Sequence, residues 1–505
     1  MKLIFVSCVS ATFDLDNDCI YYANEAYDVT LNGKKVLTDV RTNIFSLFDL
    51  NPDTTYEVEV NGEKVSFKTD AVSEILSSKG IDNTGKTNVT KDLQALIDSS
   101  HDGALINIEP GVYYFTSLKL RSNTTFNLKK GATLSASIDI SEYEEIEGEV
   151  TLPNGEVVQY GSWEGSPSKM KLSLINAIDA HNVKLVGQGT IDGRAQLGPW
   201  WIDVKHLPYV RPHILFYVQS HDIYTQGITV KNSPQWTIHP YFCQNLGYYD
   251  IYIENPKVSP NTDGLDPQCC KNVDIIGVHF SVGDDCIAIK SGKMYIGQKY
   301  KTPCEKITIR NCIMQYGHGA VVLGSEMSGG IRDLVVENCI FDHTDRGLRI
   351  KTRRGRGNTA IIDDVTFKNI LMKNVLSPMT VNMFYFCDPD GKTEYVWSKE
   401  KLPVDDRTPY LGKFTFENII ADECEYTAGY FYGLPEMPIG EINIKNSTFN
   451  FKEDAGSGTP VMMTDAEVCS KRGFIFKNVH KFNIENVTMN GQDGPLFESD
   501  GTEVK

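Results

Sequence analysis

Three aspartates in two short motifs are the residues of this chain best suited to acid–base chemistry. Asp263 stands in an Asn-Thr-Asp-Gly motif, and Asp284 and Asp285 directly follow Gly283 in the next motif along the chain. If the fold brings them together, their pKa values must separate, because like charges disfavour simultaneous ionisation. One carboxyl then stays protonated as an acid while a neighbour stays ionised as a base. The aspartates therefore predict an acid–base site, provided that one architecture aligns them.

A histidine and two cations follow in the next motifs. His318 lies between two glycines, and Arg349 and Lys351 alternate with Leu348 and Ile350. Alternation along a strand turns Arg349 and Lys351 to one face and the two apolar residues to the core. We therefore expect the cations to share the face of the aspartates.

A calcium site is the alternative interpretation of these carboxylates. Asp266 and the three aspartates offer the hard oxygen ligands that calcium prefers. Cations beside a bare metal site oppose metal binding, and His318, Arg349 and Lys351 occur in the neighbouring motifs. We therefore predict no metal ion and no cofactor.

From residue 181 onward the chain contains a repeat. Each short strand-like segment has an apolar anchor, and these are Val183, Ile223, Leu246, Val273, Ile307, Leu334, Val365, Phe414, Ile442 and Phe482. Four residues after each anchor stands a Gly, Asn or Asp, the residues that tolerate a left-handed backbone: Gly187, Gly227, Asp250, Gly277, Asn311, Asn338, Asn369, Asn418, Asn446 and Asn486. A recurring coil with inserted loops predicts an all-β fold, a right-handed parallel β-helix.

The N-terminal segment has a different pattern. Short alternating stretches are separated by the hairpin signals Asn32-Gly33 and Asn61-Gly62. Leu50, Pro52 and Tyr56 are spaced as in fibronectin type III modules, where the Tyr hydroxyl ties back to the chain. We predict a small β-sandwich over residues 1–70 and a parallel β-helix catalytic domain over residues 71–505.

One helix is predicted at the start of the second unit. Thr87 or Asn88 can cap it, and Val89, Leu93 and Ile97 recur with helical spacing. We expect this helix to cover the open end of the β-helix, because an uncovered edge invites aggregation.

The motifs together resemble one enzyme family. Asn-Thr-Asp-Gly at 261–264, Gly-Asp-Asp at 283–285, Gly-His-Gly at 317–319 and Arg-Ile-Lys at 349–351, in this order, are similar to the motifs of glycoside hydrolase family 28, the polygalacturonases. Gly187 to Gly193, Arg211-Pro212 and Asn232 to Trp236 agree with it, and the resemblance covers residues 75–490.

This resemblance implies inverting hydrolysis of α-1,4-galacturonosidic bonds in pectin. Asp284 is then the general acid, while Asp263 and Asp285 hold and deprotonate the attacking water. His318 maintains the protonation state or orients a carboxylate. Arg349 and Lys351, together with Asn261, bind the substrate, the cations gripping a uronate carboxylate.

The charge of the chain defines which partners it can bind. A formal charge of −17 excludes a nucleic-acid partner, and no stretch is long and apolar enough for a membrane span. A polyanionic substrate requires a local basic exception, which Arg346, Arg349 and Lys351 provide. The sequence leaves open whether Arg353, Arg354 and Arg356 extend this strip or form a solvated loop, and it leaves the oligomeric state open.

The location of the protein is predicted from two features. The apolar run from Leu3 to Val9 is favoured as a first strand over a signal peptide. Most of the twelve cysteines are expected to be buried thiols, with a few disulfides if the protein is exported. We expect a cytoplasmic enzyme that finishes imported oligogalacturonides, with a secreted or periplasmic enzyme as the alternative.

Several functional alternatives stay open. Within the family, exo action is favoured. Residues 140–170 and 376–411 are expected to be loops that wall off one end of a groove, and together with the fibronectin-like N-terminal module they resemble bacterial exo-polygalacturonases more than compact endo-acting members. The others are an endo-polygalacturonase and a rhamnogalacturonan or xylogalacturonan hydrolase. From other classes, a calcium-dependent pectate lyase and a non-catalytic carbohydrate-binding β-helix remain.

Overall fold

The computed structural model describes residues 1–500 and the backbone of Glu503–Val504. Its N-terminal module contains two antiparallel sheets that pack face to face around Phe13, Val29 and Val58. The three-stranded sheet comprises Lys2–Val6, Ala11–Asp14 and Ile44–Leu47. The four-stranded sheet comprises Tyr22–Leu31, Lys34–Thr42, Thr55–Val60 and Glu63–Lys68. The run that begins at Leu3 therefore contains a strand, as predicted.

The corner of this module has the predicted tyrosine tie. The backbone N–H of Asn51 donates to the hydroxyl of Tyr56 at 2.9 Å. The module also packs along the side of the second unit, where Asp14 pairs with Arg310 and Ser10 donates to Gln226. These contacts lie on a different face from the site described below, and the domain boundary at residue 70 stays a prediction.

The rest of the chain is a right-handed parallel β-helix. In its first rungs, the first face consists of Ile75–Ser77, Ala104–Ile108, Thr124–Leu128, His181–Gly187, His221–Gln226, Gln244–Tyr249, Lys271–Ile276 and Cys304–Arg310. The second face consists of Thr84–Asn88, Gly111–Phe115, Ala132–Ala136, Thr190–Asp192, Thr229–Lys231, Tyr252–Glu254, His279–Ser281 and Ile313–Gln315. In later rungs single bent strands cross both faces: Ile331–Asp342, Ile361–Lys373, Lys413–Cys424, Ile439–Phe451 and Val479–Asn490, with Tyr410–Leu411 and Glu503–Val504 beside them.

The third face, called the site face below, positions the polar motifs. Its first sheet contains Leu118–Lys119, Ile175–Ile178, Leu215–Val218 and Ile238–Tyr241. Its second contains Ile287–Ile289, Val321–Gly324, Arg346–Lys351, Ser377–Asn382, Thr427–Tyr432, Arg472–Lys477 and Phe497–Ser499. Leu265 joins the two, because it bridges to Ile238 on one side and to Ile287 on the other.

The predicted repeat is confirmed at the corner between the first two faces. None of the ten apolar anchors is more than 2% exposed. The residue four positions later has a φ between 49° and 118° in every rung. Asparagines at this corner also bond one another between rungs, as Asn369 does to Asn338 at 3.0 Å and Asn418 to Asn369 at 2.9 Å. Because a side-chain amide can both donate and accept, these hydrogen bonds can form a ladder along successive rungs.

Helix Thr90–Asp98 packs beside Leu118–Lys119, the first strand of the site face. Leu93 and Ile97 are fully buried in the core of the β-helix, so the helix covers its N-terminal end as predicted. The predicted cap was wrong by one position, since Val89 occupies the N-cap and makes no side-chain cap bond. Asn88 instead accepts a hydrogen bond from the backbone of Thr90 at 3.1 Å.

Two insertions interrupt the rungs. The first carries the antiparallel pairs Glu145–Ile146 with Met170–Lys171, Glu149–Thr151 with Val157–Gln159, and Ser162–Trp163 with Ser166–Pro167. The second was predicted over 376–411, but Ser377–Asn382 and Tyr410–Leu411 are strands of the β-helix. Their buried apolar residues fill the core, so the insertion itself is shorter.

Short helices complete the described fold. They are the α-helices Met294–Tyr300 and Glu394–Trp397 and the 3-10 turns Ile140–Glu142, Ala195–Leu197 and Pro199–Trp201. Within the described residues, every helix is too short or too polar to cross a bilayer.

Candidate active site

The strand register aligns the polar motifs on the site face. Leu265, Ile287, Val321 and Leu348 lie side by side in successive rungs. The residues two positions earlier therefore form a column, which is Asp263, Asp285, Gly319 and Arg346. One position before that stand Asp284, His318 and Asp345, whose rungs are joined by backbone bonds such as His318 N–H to Asp284 O at 3.2 Å. Polar residues that stand at the same distance before the aligned apolar residues therefore lie close together in space.

A cavity of about 390 Å³ opens over this column. All seven residues predicted for the site line it: Asn261, Asp263, Asp284, Asp285, His318, Arg349 and Lys351. Trp163, Glu164, Trp236, Lys290, Ser325, Glu326, Asp345, Arg346, Tyr385 and Met462 complete the lining. The roles of the seven residues stay predictions, which the experiments below test.

Asp285 is the ionised member of the three aspartates. It is 1% exposed, and it receives Lys351 Nζ at 2.8 Å on one oxygen and Arg349 Nη1 at 3.4 Å on the other. Burial alone would raise the pKa of Asp285, but the charges of Lys351 and Arg349 together hold this pKa well below its usual range. Asp285 therefore stays ionised to a lower pH than an ordinary aspartate.

Asp284 and Asp263 are shifted in the opposite direction. Burial, and then the neighbouring charge of Asp285, raise the pKa of Asp284. Burial, and then Asp266 and Asp284, raise the pKa of Asp263 well above its usual value. The three aspartates therefore combine one ionised carboxylate with two carboxyls that keep a proton to higher pH, which is the division that acid–base catalysis needs.

His318 lies at the exposed rim of the cavity. Its Nδ1 is 2.9 Å from a carboxylate oxygen of Asp345. This hydrogen bond raises the pKa of His318, and burial opposes the rise only in part. Asp345 thus orients the ring and favours its protonated form, and the positive charge faces Asp284.

Asn261 is fixed by a buried arginine. Arg211 is 3% exposed, and its Nη2 donates to Asn261 Oδ1 at 2.7 Å. Another guanidinium nitrogen donates to the carbonyl of Pro234 at 2.8 Å. The Asn261 amide nitrogen is therefore the group that this residue can offer to a ligand.

The second half of the predicted basic strip is neither a solvated loop nor a binding surface. Arg353, Arg354 and Arg356 are at most 4% exposed. Arg356 pairs with Asp388 at 2.6 Å, and Arg354 donates to Glu436 at 2.9 Å. These arginines fasten the insertion after Asn382 to the β-helix, since a buried guanidinium needs a carboxylate or carbonyl partner.

Several cavity residues have no motif that would reveal them. Trp163 and Glu164 come from a hairpin of the first insertion, and Tyr385 follows the site-face strand Ser377–Asn382. Met462 is carried by a distant loop that Arg346 holds through the carbonyls of Thr459 and Pro460. These side chains reach the cavity only through contacts between segments that are far apart in the sequence.

A metal ion is the alternative ligand of the three aspartates. One oxygen from each of Asp263, Asp284 and Asp285 lies within 4.8 Å of the others, a spacing that a cation could bridge. Lys351 and Arg349, however, already neutralise Asp285. A divalent ion would face two cations at its own ligand, so this donor set is poorly suited to calcium.

Fold and site define a glycoside hydrolase. The sequence pattern of Glycosyl hydrolases family 28 matches residues 119–400, which is more than half of the chain. The chain therefore belongs to this family, and the predicted resemblance is confirmed.

Its relatives cover most of the chain. A probable polygalacturonase of Vitis vinifera is 31% identical over 393 residues, 76% of this chain and 75% of that protein. An exo-poly-alpha-D-galacturonosidase of Dickeya chrysanthemi is 24% identical over 96% of this chain and 85% of its own length. The family 28 exopolygalacturonase of Yersinia enterocolitica has the same fold, with a TM-score of 0.74 at 20% identity over 100% of this chain and 98% of that one.

Proposed function

We propose that this protein hydrolyses α-1,4-galacturonosidic bonds in polygalacturonate and oligogalacturonides, releasing units from one chain end. The proposal rests on one observation. Three carboxyls, whose pKa values are shifted in opposite directions, lie beside Arg349 and Lys351 in one cavity. The carboxyls can cleave a glycosidic bond, and the cations can hold a uronate. The names of the Vitis and Dickeya relatives support the same substrate.

Exo action is supported by the walls of the cavity. Trp163 and Glu164 line the cavity, and the Trp163 ring lies 5.2 Å from that of Trp236. Tyr385 and Met462 also line it, beside Lys351 and Arg349 respectively. A groove for internal cutting must be open at both ends, so these additions favour a pocket that accepts a chain terminus.

A product profile tests this proposal. With polygalacturonate we expect only mono- or digalacturonate early in the reaction, and reducing ends that rise much faster than viscosity falls. In a Trp163→Gly/Glu164→Gly variant the wall is lowered, and we expect oligomers of intermediate length to appear. Chromatography of early time points measures both.

The control is Val150→Gly/Thr151→Gly, which changes an exposed hairpin of the same insertion outside the cavity and should keep the parent profile. A ladder of oligomers from the parent would contradict exo action. Products that absorb in the ultraviolet, together with activity lost to a chelator, would instead identify a calcium-dependent lyase.

The site also supports inversion at the anomeric carbon. Inverting pairs of carboxyls usually lie roughly 6.5–9.5 Å apart and retaining pairs about 5–5.5 Å. Here one oxygen of each aspartate lies within 4.8 Å of the others, so inversion is supported by which carboxylate is free and not by this separation. A retaining enzyme needs one carboxylate free to bond to the sugar. Both oxygens of Asp285 are engaged by cations, and Asp263 tends to keep a proton. Two such carboxyls are better placed to share a water than to act as a nucleophile.

Proton NMR during the reaction decides the stereochemistry. Because the substrate bond is α, an inverting enzyme first releases the β-anomer, which then mutarotates. We expect the β signal of the new reducing end to appear first. If the α signal leads, a covalent intermediate is formed and the assignment of a shared water is wrong.

For its location, we propose a reducing compartment, the cytoplasm. Ten of the twelve cysteines are buried and all are free thiols, which supports this location because exported proteins commonly form disulfides. Fractionation of the source cells with antibody detection tests it, and recovery in the medium or periplasm would refute it.

A further inference from the structure

Lys290 is a buried cation that the mechanism above does not use. It directly follows the site-face strand Ile287–Ile289, its side chain is 4% exposed, and it lines the cavity. Burying an ammonium group is costly unless it is paired, so its position needs an explanation.

The partners of Lys290 leave much of its donor capacity free. Its Nζ lies 3.4 Å from Asp266 and 3.5 Å from Glu326, whereas charge-assisted bonds are about 2.7–2.9 Å long. On another side it rests 4.4 Å from the centre of the Trp236 ring. An ammonium has three N–H donors, and neither carboxyl contact is a close one.

One of these two carboxyls also carries a reduced charge. Burial raises the pKa of Asp266 to about 7, although Lys290 opposes the rise. Near neutral pH Asp266 is therefore partly protonated, and Glu326 is the main counter-charge. The neighbourhood of Lys290 can accept another anionic oxygen.

Lys290 and Lys351 stand in one column of the site face. The register pairs Ile289 with Leu323 and Leu323 with Ile350, and it pairs Gly324 with Lys351. Lys290 and Lys351 are therefore two rungs apart, roughly 10 Å along the axis. Gly324 lies between them in the register and contributes no side chain.

We propose that Lys290 binds the carboxylate of a second uronate, on the opposite side of the scissile bond from the uronate that Arg349 and Lys351 hold. The inference rests on the proposed function and deepens it, since the site would bind the carboxylates of both sugars that flank the scissile bond. Trp236, whose ring lies 4.4 Å from the Lys290 ammonium, lines the same part of the cavity.

Singly esterified substrates test this assignment. The Asp284→Asn protein is expected to bind without cleaving, and calorimetry measures its affinity for digalacturonate and for the two mono-methyl esters. The further substitutions are made in this protein. The Asp284→Asn protein with Lys290 intact should bind the free diacid more tightly than either ester. Lys290→Met should weaken diacid binding about tenfold and lose its discrimination against one ester, and Arg349→Met should lose discrimination against the other.

Two outcomes overturn the proposal. If Lys290→Met weakens the binding of all three ligands equally, Lys290 affects only the structure of the cavity. If Lys290→Met and Arg349→Met lose discrimination against the same ester, both residues bind the same uronate. Lys290→Met/Glu326→Gln removes both charges and repeats the measurement if the single variant misfolds. Lys271→Met, on the first face, is the matched control. If the Asp284→Asn protein does not bind these sugars and the unsubstituted protein does not hydrolyse polygalacturonate, the proposed function itself is refuted.

Discussion

Replacing Asp284 by Asn is expected to lower kcat on polygalacturonate by about 10²–10⁴-fold, with KM changed by less than about threefold. Asn has the shape of Asp284 but cannot give a proton to the leaving oxygen. The raised pKa of Asp284, caused by burial and by Asp285, keeps this proton available to higher pH than an ordinary aspartate would. In the parent, activity should therefore fall as pH rises through the pKa of Asp284. Initial rates across pH measure both effects.

An activated substrate separates the role of Asp284 from a loss of structure. A nitrophenyl galacturonoside has a leaving oxygen that needs little protonation, so Asp284→Asn should recover roughly 10–100-fold of the lost rate on it. Asp285→Asn lacks the base that activates water, and it should stay impaired on both substrates. Equal impairment of Asp284→Asn on both would contradict the assignment of the acid.

Much of the site could be predicted from the sequence, because its parts share a phase in the repeat. Asp263 and Asp285 each stand two positions before an apolar residue of the site face, and Asp284 and His318 each stand three positions before one. In a parallel β-helix, residues at the same distance lie in the same column. Asp263, Asp285 and His318 were therefore predictable without coordinates. Alternation similarly predicted the direction of Arg349 and Lys351, since Leu348 and Ile350 are buried as required.

The rest depends on contacts that no local pattern encodes. Trp163 and Tyr385 reach the cavity from insertions, and insertions have no repeat from which a position could be read. Arg354 and Arg356 look like surface cations in the sequence, and only the distant Glu436 and Asp388 show that they are buried. Lys290 directly follows a buried strand, and no local pattern distinguishes it from other strand-end lysines. Only its contacts with Asp266, Glu326 and Trp236 place it in the cavity.

The second large effect is expected at Lys351. Lys351→Met removes the closer of the two cations on Asp285 and one donor for the substrate uronate. Charged hydrogen bonds contribute about 1.5–3 kcal/mol, so kcat/KM on polygalacturonate should fall roughly 10–100-fold. Lys351→Arg keeps the charge and should lose less. Lys373→Met, an exposed lysine of strand Ile361–Lys373, should behave like the parent.

The pH profile shows whether Lys351 acts through Asp285. Lys351 and Arg349 hold the pKa of Asp285 below its usual value against the effect of burial, so the base stays ionised as the pH falls. Without Lys351 this pKa rises, and Asp285 takes up a proton at a higher pH than before. The acid limb of kcat/KM should therefore move up by about 1–3 pH units in Lys351→Met, and it should stay near the parent in Lys351→Arg. If the rate falls but the acid limb does not move, Lys351 serves substrate binding alone, and the charge of Asp285 is set by Arg349.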